Sequence, residues 1–190
     1  MKIYRLRSDT ENYQFLELVD AGNWRILNKI LNGELPISEW RPFPVRVCRD
    51  PKSTRPDALP SDFPNLGGLD VFSGKATKLL GATLLSNGRL LPLSSEEGEY
   101  FGFHTTTVLD ALDERNSEIW RLSTGTIADI ERHVFRPDAL GRAPIFRLPQ
   151  KKFGPTYVDE TFVSRISSLG LAGFKFELVW AQQDVAKTSG

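Results

Sequence analysis

The chain has 190 residues, of which 40% are hydrophobic and 11% aromatic, and its 24 basic and 24 acidic side chains give a formal net charge of zero. This composition is sufficient for a packed core and too apolar for general disorder. The length fits one domain or at most two small ones. A neutral chain also lacks the cationic excess on which binding of duplex nucleic acid depends.

The single cysteine, Cys48, excludes a disulfide within the chain, and zinc sites usually require several Cys or His ligands. We therefore expect Cys48 to be a small buried hydrophobic residue. The N-terminal residues MKIYRLRSD lack the apolar core of a signal peptide, and no run of about 18 apolar residues is present. The sequence thus predicts a cytoplasmic protein without a cofactor or a metal.

The first part of the chain predicts a strand followed by a helix. Residues 2–7 alternate between polar and apolar side chains, which is typical of a strand. Trp24, Leu27 and Leu31 are spaced at i, i+3 and i+7, which predicts a helix, and Gly33 stands where a helix often ends.

Prolines and glycines suggest how the chain is divided. Val45 and Val47 alternate in a predicted strand, and residues 50–68 follow with four prolines and two glycines. This composition predicts a long surface loop. We expect a single domain over residues 1–182, followed by a flexible tail (183–190). An alternative division of this domain is an N-terminal subdomain (1–49), the long loop (50–68) and the main part (69–180).

Residues 69–93 and 156–180 predict the same strand–helix–strand unit. Ser73 and Asp159 are the expected N-caps, and a glycine follows each helix. The apolar stripes of the two helices are Ala76, Leu79, Leu80, Thr83 and Leu84 in the first unit, and Phe162, Val163, Ile166 and Leu169 in the second. We interpret this as a recurring supersecondary unit, because only part of the two stripes aligns.

Short β-like segments lie between the two units. An acidic loop, SSEEGEYFGF, leads into an aromatic strand, and SEIWRL and PIFRL predict brief strands. The segment TIADIERHVFR fits a helix or a strand, and its β-branched residues favour the strand. The fold class that follows is α+β, with mixed or antiparallel sheets of short strands, about three helices and two strand–helix–strand units.

The candidate chemical residues are few. His104, Asp110 and Asp113 would form a catalytic or ligand-binding cleft if they converged, and His133 is the second of only two histidines. Solvated carboxylates in a turn and structural histidines are the commoner outcome. No nucleophile elbow or phosphate-binding loop is present in the sequence.

A nucleic-acid-binding module is a second alternative. The segment Arg41 to Arg55 interleaves five basic residues with Phe43, a composition that suits single-stranded nucleic acid. Asp50 and Asp57 dilute its charge, and a solvated strand edge explains the pattern equally well.

The order of these segments resembles the immunity protein eleven family, formerly a domain of unknown function. The resemblance lies in KIYRL, LDVFSGKATKLLGATLL with GRLLPL, VLDALDERNSE, VFRPDALGRAPIFRL and TYVDETFVSRISSLGLAGFKFELVW. The matching positions are mostly hydrophobic and glycine residues, namely Pro92, Leu109, Asp110, Ser117, Phe135, Phe146, Gly170, Leu171, Gly173 and Phe176.

The resemblance implies a protein that is not an enzyme. Members of the family are antidotes that bind a cognate bacterial toxin and block it, and such toxins are delivered by secretion systems such as type VI. The implied α+β domain has no catalytic residues to carry over, and the toxin and the oligomeric state stay open.

A protein of this kind acts through a surface that binds its partner. We expect this surface in the loops that lie outside the two strand–helix–strand units. The acidic residues of SSEEGEYF would suit a basic cleft on a toxin. The residues that we predict to contact the partner are Glu96, Glu97, Glu99, Tyr100, Arg55 and Asp57. The four tryptophans are expected in the core rather than at the interface.

Overall fold

The computed structural model describes the parts of the chain that carry residues 1–31, 34–49, 55, 57–151 and 154–182. The predicted C-terminal glycine of the first helix, most of the first half of the predicted loop, and the predicted tail therefore lie outside the described residues. Within them, the chain is α+β as predicted, and none of the helices is long and apolar enough to cross a membrane.

The elements run in this order along the chain. The strands are β1 (Lys2–Ser8), β2 (Leu16–Leu18), β3 (Val45–Val47), β4 (Asn65–Leu66), β5 (Leu69–Ser73), β6 (Gly88–Pro92), β7 (Tyr100–Thr105), β8 (Glu118–Arg121), β9 (Ile127–Arg132), β10 (Ile145–Phe146), β11 (Tyr157–Asp159) and β12 (Phe174–Ala181). The helices are α1 (Asn23–Leu31), α2 (Gly74–Asn87), α3 (Pro137–Leu140) and α4 (Glu160–Ser168), and a 3₁₀ turn spans Ile37–Glu39.

The three longer helices and the predicted strands are confirmed. The ambiguous segment near residue 130 is a strand, β9, which pairs with β8 in an antiparallel hairpin. β2 and β3 form another antiparallel pair. The short α3 was not predicted; it begins at Pro137, whose fixed φ and missing N–H suit the first position of a helix.

The two strand–helix–strand units form two sheets with the same strand arrangement. One sheet has the order β4-β5-β7-β6, and the other has the order β10-β11-β1-β12. In each, the strands before and after the helix both lie antiparallel to a central strand, which separates them. The central strand follows its unit as β7 in the first sheet and comes from the N-terminus as β1 in the second. The unit is therefore a split βαβ arrangement used twice.

Local signals start and stop the two helices as predicted. The Ser73 hydroxyl accepts from the Ala76 N–H at 3.1 Å, and the Asp159 carboxylate accepts from the Phe162 N–H at 2.9 Å. Each bond satisfies one of the free N–H groups of the first turn. At the end of α4, Gly170 has a φ of +61°, a conformation that an L-residue rarely adopts.

The helices of both units meet in one hydrophobic core. Its buried members come from both helices, from both sheets and from the segments before β4 and β12: Leu6, Phe63, Phe72, Ala76, Leu80, Leu84, Phe103, Ile145, Val158, Phe162, Ile166 and Leu171. A second cluster lies under α1 and the β2–β3 pair, and a third under the β8–β9 hairpin. The first cluster joins the two units, because the apolar stripes of both helices contribute to it.

The predicted surface loop is wrong in its second half. Phe63 and Leu66 are buried, and β4 pairs with β5. Phe63 stacks on Phe174 with ring centroids 4.8 Å apart, so this segment closes the main core instead of facing water. Gly67, with a φ of +53°, turns the chain beneath the ring of Trp24, where a Cβ atom would lie 2.1 Å from the indole.

The tryptophans were expected in the core, and that prediction is wrong for one of them. Trp40 is buried, and Trp24 and Trp180 pack partly buried against two of the clusters. Trp120 lies on the β8–β9 hairpin and is 59% exposed. Cys48 is buried as predicted.

Two adjacent leucines of α2 test the common core. Leu84 is fully buried, whereas Leu85 is 64% exposed. We expect Leu84→Ala to lower the free energy of unfolding by about 2–5 kcal/mol, because it removes buried methyl groups and leaves a cavity between the two units. The matched Leu85→Ala change is expected to stay within about 0.5 kcal/mol of wild type. Urea unfolding followed by circular dichroism measures both, and equal losses would contradict the burial assigned to α2.

Candidate partner-binding surface

The acidic turn connects β6 to β7 and is held at its base. The Leu93 N–H donates to the Tyr100 carbonyl at 3.0 Å, which closes the turn. Ser94 donates to the Phe43 carbonyl and accepts from the Val45 N–H, at 2.9 Å and 2.8 Å. The turn is thus anchored to the chain that enters β3.

Glu97 ties the turn to β3. Its carboxylate accepts from the Val47 N–H at 2.6 Å and also from the Arg49 guanidinium. The bond to Arg49, followed by the bond to the Val47 N–H, holds the pKa of the Glu97 carboxyl below its usual value. The Glu97 side chain thereby satisfies an edge N–H of β3 and pairs with an exposed cation, so its carboxylate already has two partners within the chain.

Glu99 ties the other end of the turn to α2. Its carbonyl accepts from the Gly74 N–H at 2.7 Å, and its carboxylate lies 3.3 Å from the Lys78 ammonium. A Cβ atom at Gly74 would lie 2.6 Å from a Glu99 carboxylate oxygen and 2.8 Å from the Glu99 Cβ, so a larger residue here would have to displace the Glu99 side chain. Both charged groups of the Glu99–Lys78 pair are largely exposed, so the pair adds little stability but places a positive charge beside the acidic turn.

Glu96 and Tyr100 complete the turn. Glu96 is exposed, and no bond from its carboxylate to another described residue is seen. Tyr100 packs partly buried against the second cluster, and burial raises the pKa of its phenol. The surface therefore presents one free carboxylate, one half-exposed aromatic ring and two neutralised acids, instead of a uniformly acidic face.

Arg55 and Asp57 pair with each other. The guanidinium Nη2 lies 3.0 Å from the Asp57 carboxylate, and Nε lies 3.1 Å from its second oxygen. This bidentate bond lowers the pKa of the Asp57 carboxyl. No hydrogen bond or ion pair among the described residues joins this pair to the acidic turn.

The basic segment does not form a stacking platform in its described part. Phe43 is buried and packs edge-to-face on Trp40, with ring centroids 5.0 Å apart. Arg46 pairs with Glu17 at 2.7 Å. Arg41 donates to the Ser38 carbonyl in the 3₁₀ turn and to the Trp40 carbonyl that follows it. Its aromatic residue faces the core and these cations have internal partners, an arrangement unlike the exposed rings that bind single strands.

The predicted cleft of His104, Asp110 and Asp113 does not assemble. Asp113 caps its own turn by accepting from the side chain and backbone of Asn116, which lower the pKa of its carboxyl. Asp110 lies 3.4 Å from Arg136 and accepts from Gln150 at 2.8 Å. His104 lies in β7 and lines a separate groove whose walls include neither aspartate. Among the described residues, no group of three His, Cys, Asp or Glu side chains is placed to hold a metal.

The groove beside His104 is mostly apolar and has a volume of about 570 Å³. Its walls come from α1 and the 3₁₀ turn on one side and from β7 and the segment after β10 on the other. His104 Nδ1 and Arg147 Nε are buried there and have no hydrogen-bond partner among the described residues. Burial and the neighbouring charges of Arg147 and Arg89 lower the pKa of His104, which favours the neutral imidazole.

A polar cleft of about 440 Å³ was missed by the sequence analysis. It lies where β1, β5 and β9 come together, and its charged lining residues are Arg5, Arg7, Asp70, Asp129, Arg147 and Lys151. Burial raises the pKa of Asp70, which accepts from the Thr156 hydroxyl at 2.6 Å. The four cationic side chains of the cleft could donate hydrogen bonds to an anionic group, and its two carboxylates neutralise part of their positive charge. These charges come from four segments that are distant in the sequence, so no local motif indicates the cleft.

His133 and Tyr157 form a buried polar pair beside this cleft. His133 Nε2 lies 2.9 Å from the Tyr157 hydroxyl, and both side chains pack against Phe135. Burial, reinforced by the charge of Arg5, lowers the pKa of His133 to about 4, and burial raises the pKa of Tyr157 to about 12. The structural interpretation of His133 made from the sequence fits this position, since the pair lies within the third cluster.

The described residues form an α+β domain in which many of the exposed charges are held in intramolecular pairs. Residues 91–180 match the model of the Immunity protein family (Imm11). The resemblance predicted from the sequence is thereby confirmed over this range, which begins in β6, includes the acidic turn and ends in β12. The parts of the resemblance that precede Leu91 stay predictions. No curated protein matches the chain.

His133 predicts a dependence of stability on pH. The unfolded histidine, with a pKa of about 6.5, binds a proton that the folded protein excludes down to a pKa of about 4. The contribution of neutral His133 to the free energy of unfolding is therefore complete above about pH 6.5. It is lost as the pH falls toward about 4, and the free energy of unfolding then changes by at most about 1.4 kcal/mol per pH unit. We expect His133→Gln to flatten the loss of stability over this interval in urea unfolding.

Tyr157→Phe is the control, because it removes the hydrogen bond but leaves a buried, neutral histidine. It should lower stability at every pH and keep the slope. Asp70, whose pKa is raised by burial, gives a slope of the opposite sign. The quantity to compare is therefore the difference in free energy of unfolding between each variant and wild type. If this difference for His133→Gln is the same at every pH between about 4 and 6.5, the lowered pKa of His133 is contradicted.

The tether at Glu97 makes a second prediction. Glu97→Ala removes the acceptor of the Val47 N–H, and we expect the exchange of this amide hydrogen with solvent to accelerate. Glu96→Ala removes an equally acidic neighbour without this contact and should leave the rate unchanged. Amide exchange resolved by NMR measures both. A protected Val47 amide in Glu97→Ala would show that the turn is held by other contacts.

Proposed function

We propose that this protein is an immunity protein that binds a cognate bacterial toxin or effector and neutralises it by occlusion, without catalysis. The observation that carries the proposal is the match of residues 91–180 to the immunity protein family model. The geometry supports it in one respect, since the only catalytic constellation that the sequence suggested is dispersed over separate contacts.

The acidic turn is the surface that we assign to the toxin. It lies within the matched range and is ordered by contacts that exist before binding: Glu97 with β3 and Glu99 with α2. A loop that is already rigid loses less conformational entropy on association, which favours tight binding. Tyr100 adds an aromatic side chain of the type that often anchors interfaces.

The charges of this surface indicate the kind of partner. Glu96 is free, whereas Glu97 and Glu99 lie beside Arg49 and Lys78. A partner of complementary potential would therefore present a cation opposite Glu96 and a mixed pattern around it, instead of a broad basic cleft. Arg55 and Asp57 extend the proposed interface outside the matched range, with both side chains largely exposed.

The setting follows from the type of protein. A toxin delivered between competing bacteria, by a secretion system such as type VI, would kill the producing cell or its siblings unless an antidote is present in their cytoplasm. We place this protein in that role. Its partner would be the toxin encoded beside it, and a tight complex of standard size would bury roughly 1,600 Å² of surface in total.

The proposal predicts protection and a selective complex. Co-expression with the adjacent toxin is expected to rescue growth, and the two proteins should co-purify. Glu96→Lys places a like charge against the predicted cation and is expected to weaken the complex by about 1–3 kcal/mol, or about 5- to 150-fold in Kd. Calorimetry or surface plasmon resonance measures the change.

Glu131→Lys is the matched control, because Glu131 is also exposed and no bond from it to another described residue is seen. It makes the same change in net charge on a different element, β9. Failure of both rescue and complex formation would overturn the proposed function. Rescue and binding with equal losses for the two variants would retain the function and reject the acidic turn as the interface.

A further inference from the structure

β12 is a long edge strand with a free side. It pairs with β1 on one side, and among the described residues no strand or loop pairs with its other side. The Asp9 N–H donates to the Gly173 carbonyl, which fixes the alternation of the ladder. Asp9, Arg7 and Arg5 then face β12 with their N–H and carbonyl groups. The N–H and carbonyl groups of Phe174, Phe176 and Leu178 point outward, away from β1.

The two faces of this edge differ in character. Phe174 and Phe176 stack on the side that carries the helices, with ring centroids 6.0 Å apart, and Leu178 follows them with 53% of its surface exposed. Lys175 and Glu177 lie on the opposite face. Lys175 lies 3.5 Å from the Glu11 carboxylate, and Glu177 accepts from Arg7 at 2.8 Å, yet the two side chains stay 53% and 48% exposed and can face a further strand. A strand that pairs here must therefore be apolar on one face and charged on the other.

The sequence Phe174-Lys175-Phe176-Glu177-Leu178 has this property itself. When it is laid antiparallel against a copy with the two-fold axis at Phe176, Lys175 stands opposite Glu177 of the copy, and the reverse pair forms on the other side of the axis. Phe174 then stands opposite Leu178 of the copy. All the outward N–H and carbonyl groups of the segment find partners, because residues in a hydrogen-bonded pair exchange both bonds.

The neighbouring registers are unfavourable. Moving the axis to Lys175 places the two lysines against each other, and moving it to Glu177 opposes the two glutamates. Like charges directly opposite in a ladder are destabilising. The charge pattern therefore selects one register among the three, and it fits a second copy of this chain.

We infer that the protein forms a symmetric dimer in which the β12 strands of two copies pair antiparallel about Phe176 and join the two four-stranded sheets into one. The interface is isologous, since the same segment is used by both copies. It is formed by the edge and not by the acidic turn, so the inference does not depend on the proposed function. Pairing also covers an exposed edge that otherwise invites aggregation.

Charge exchange tests the pairing by light scattering after size-exclusion chromatography. Wild type is expected to run at about twice the 21.4 kDa of the chain. Lys175→Glu and Glu177→Lys each turn both attractive pairs into repulsive ones, and each is expected to raise the dimer dissociation constant by about tenfold or more. The double variant Lys175→Glu/Glu177→Lys restores opposite charges and should recover the dimer.

Mixing the two single variants provides the matched control. One chain then carries two glutamates and the other two lysines, so every opposed pair is attractive and a heterodimer should form although each variant alone is weakened. Circular dichroism confirms that the variants are folded. A wild type that is monomeric at every concentration, or a dimer that neither single reversal weakens, would overturn the inference.

Discussion

The burial of α2 and α4 in one core is the constraint on which the rest of the structure depends. Each helix belongs to its own strand–helix–strand unit. Leu80 and Leu84 of α2 and Phe162 and Ile166 of α4 are all buried in the same cluster with side chains of both sheets. Since apolar burial is the main favourable term in folding, the two units stabilise each other through this cluster.

This arrangement explains why a repeated unit has no chemistry of its own. Its polar side chains start and stop the helices, as Ser73 and Asp159 do, and its apolar side chains fill the shared core. What remains available for a partner is the periphery: the turns between the strands and the edges of the sheets. The acidic turn and the β12 edge are both peripheral, and the first is held rigid by contacts that reach to β3 and α2.

Much of the fold was predictable, because the signals that specify it are local. The N-caps, the helix stripes and the alternation of β1 and β3 can each be seen within a few residues. The contacts that shape the surface are different. Glu97 reaches Val47 over 50 positions of the sequence, and Thr156 reaches Asp70 over 86. No periodicity predicts such pairs. The burial of Phe63 also followed from a distant residue, Phe174, and not from the proline-rich composition around it.

We propose that this protein neutralises its toxin by stoichiometric binding and not by a chemical reaction. The most direct measurement is a titration of the activity of the adjacent toxin with purified protein at a toxin concentration well above Kd. Binding by occlusion predicts that activity falls linearly and reaches zero near one binding equivalent, with the toxin recovered chemically unchanged after denaturing separation. Inactivation of many equivalents of toxin by one of this protein, or a toxin that stays inactive after separation, would contradict the account.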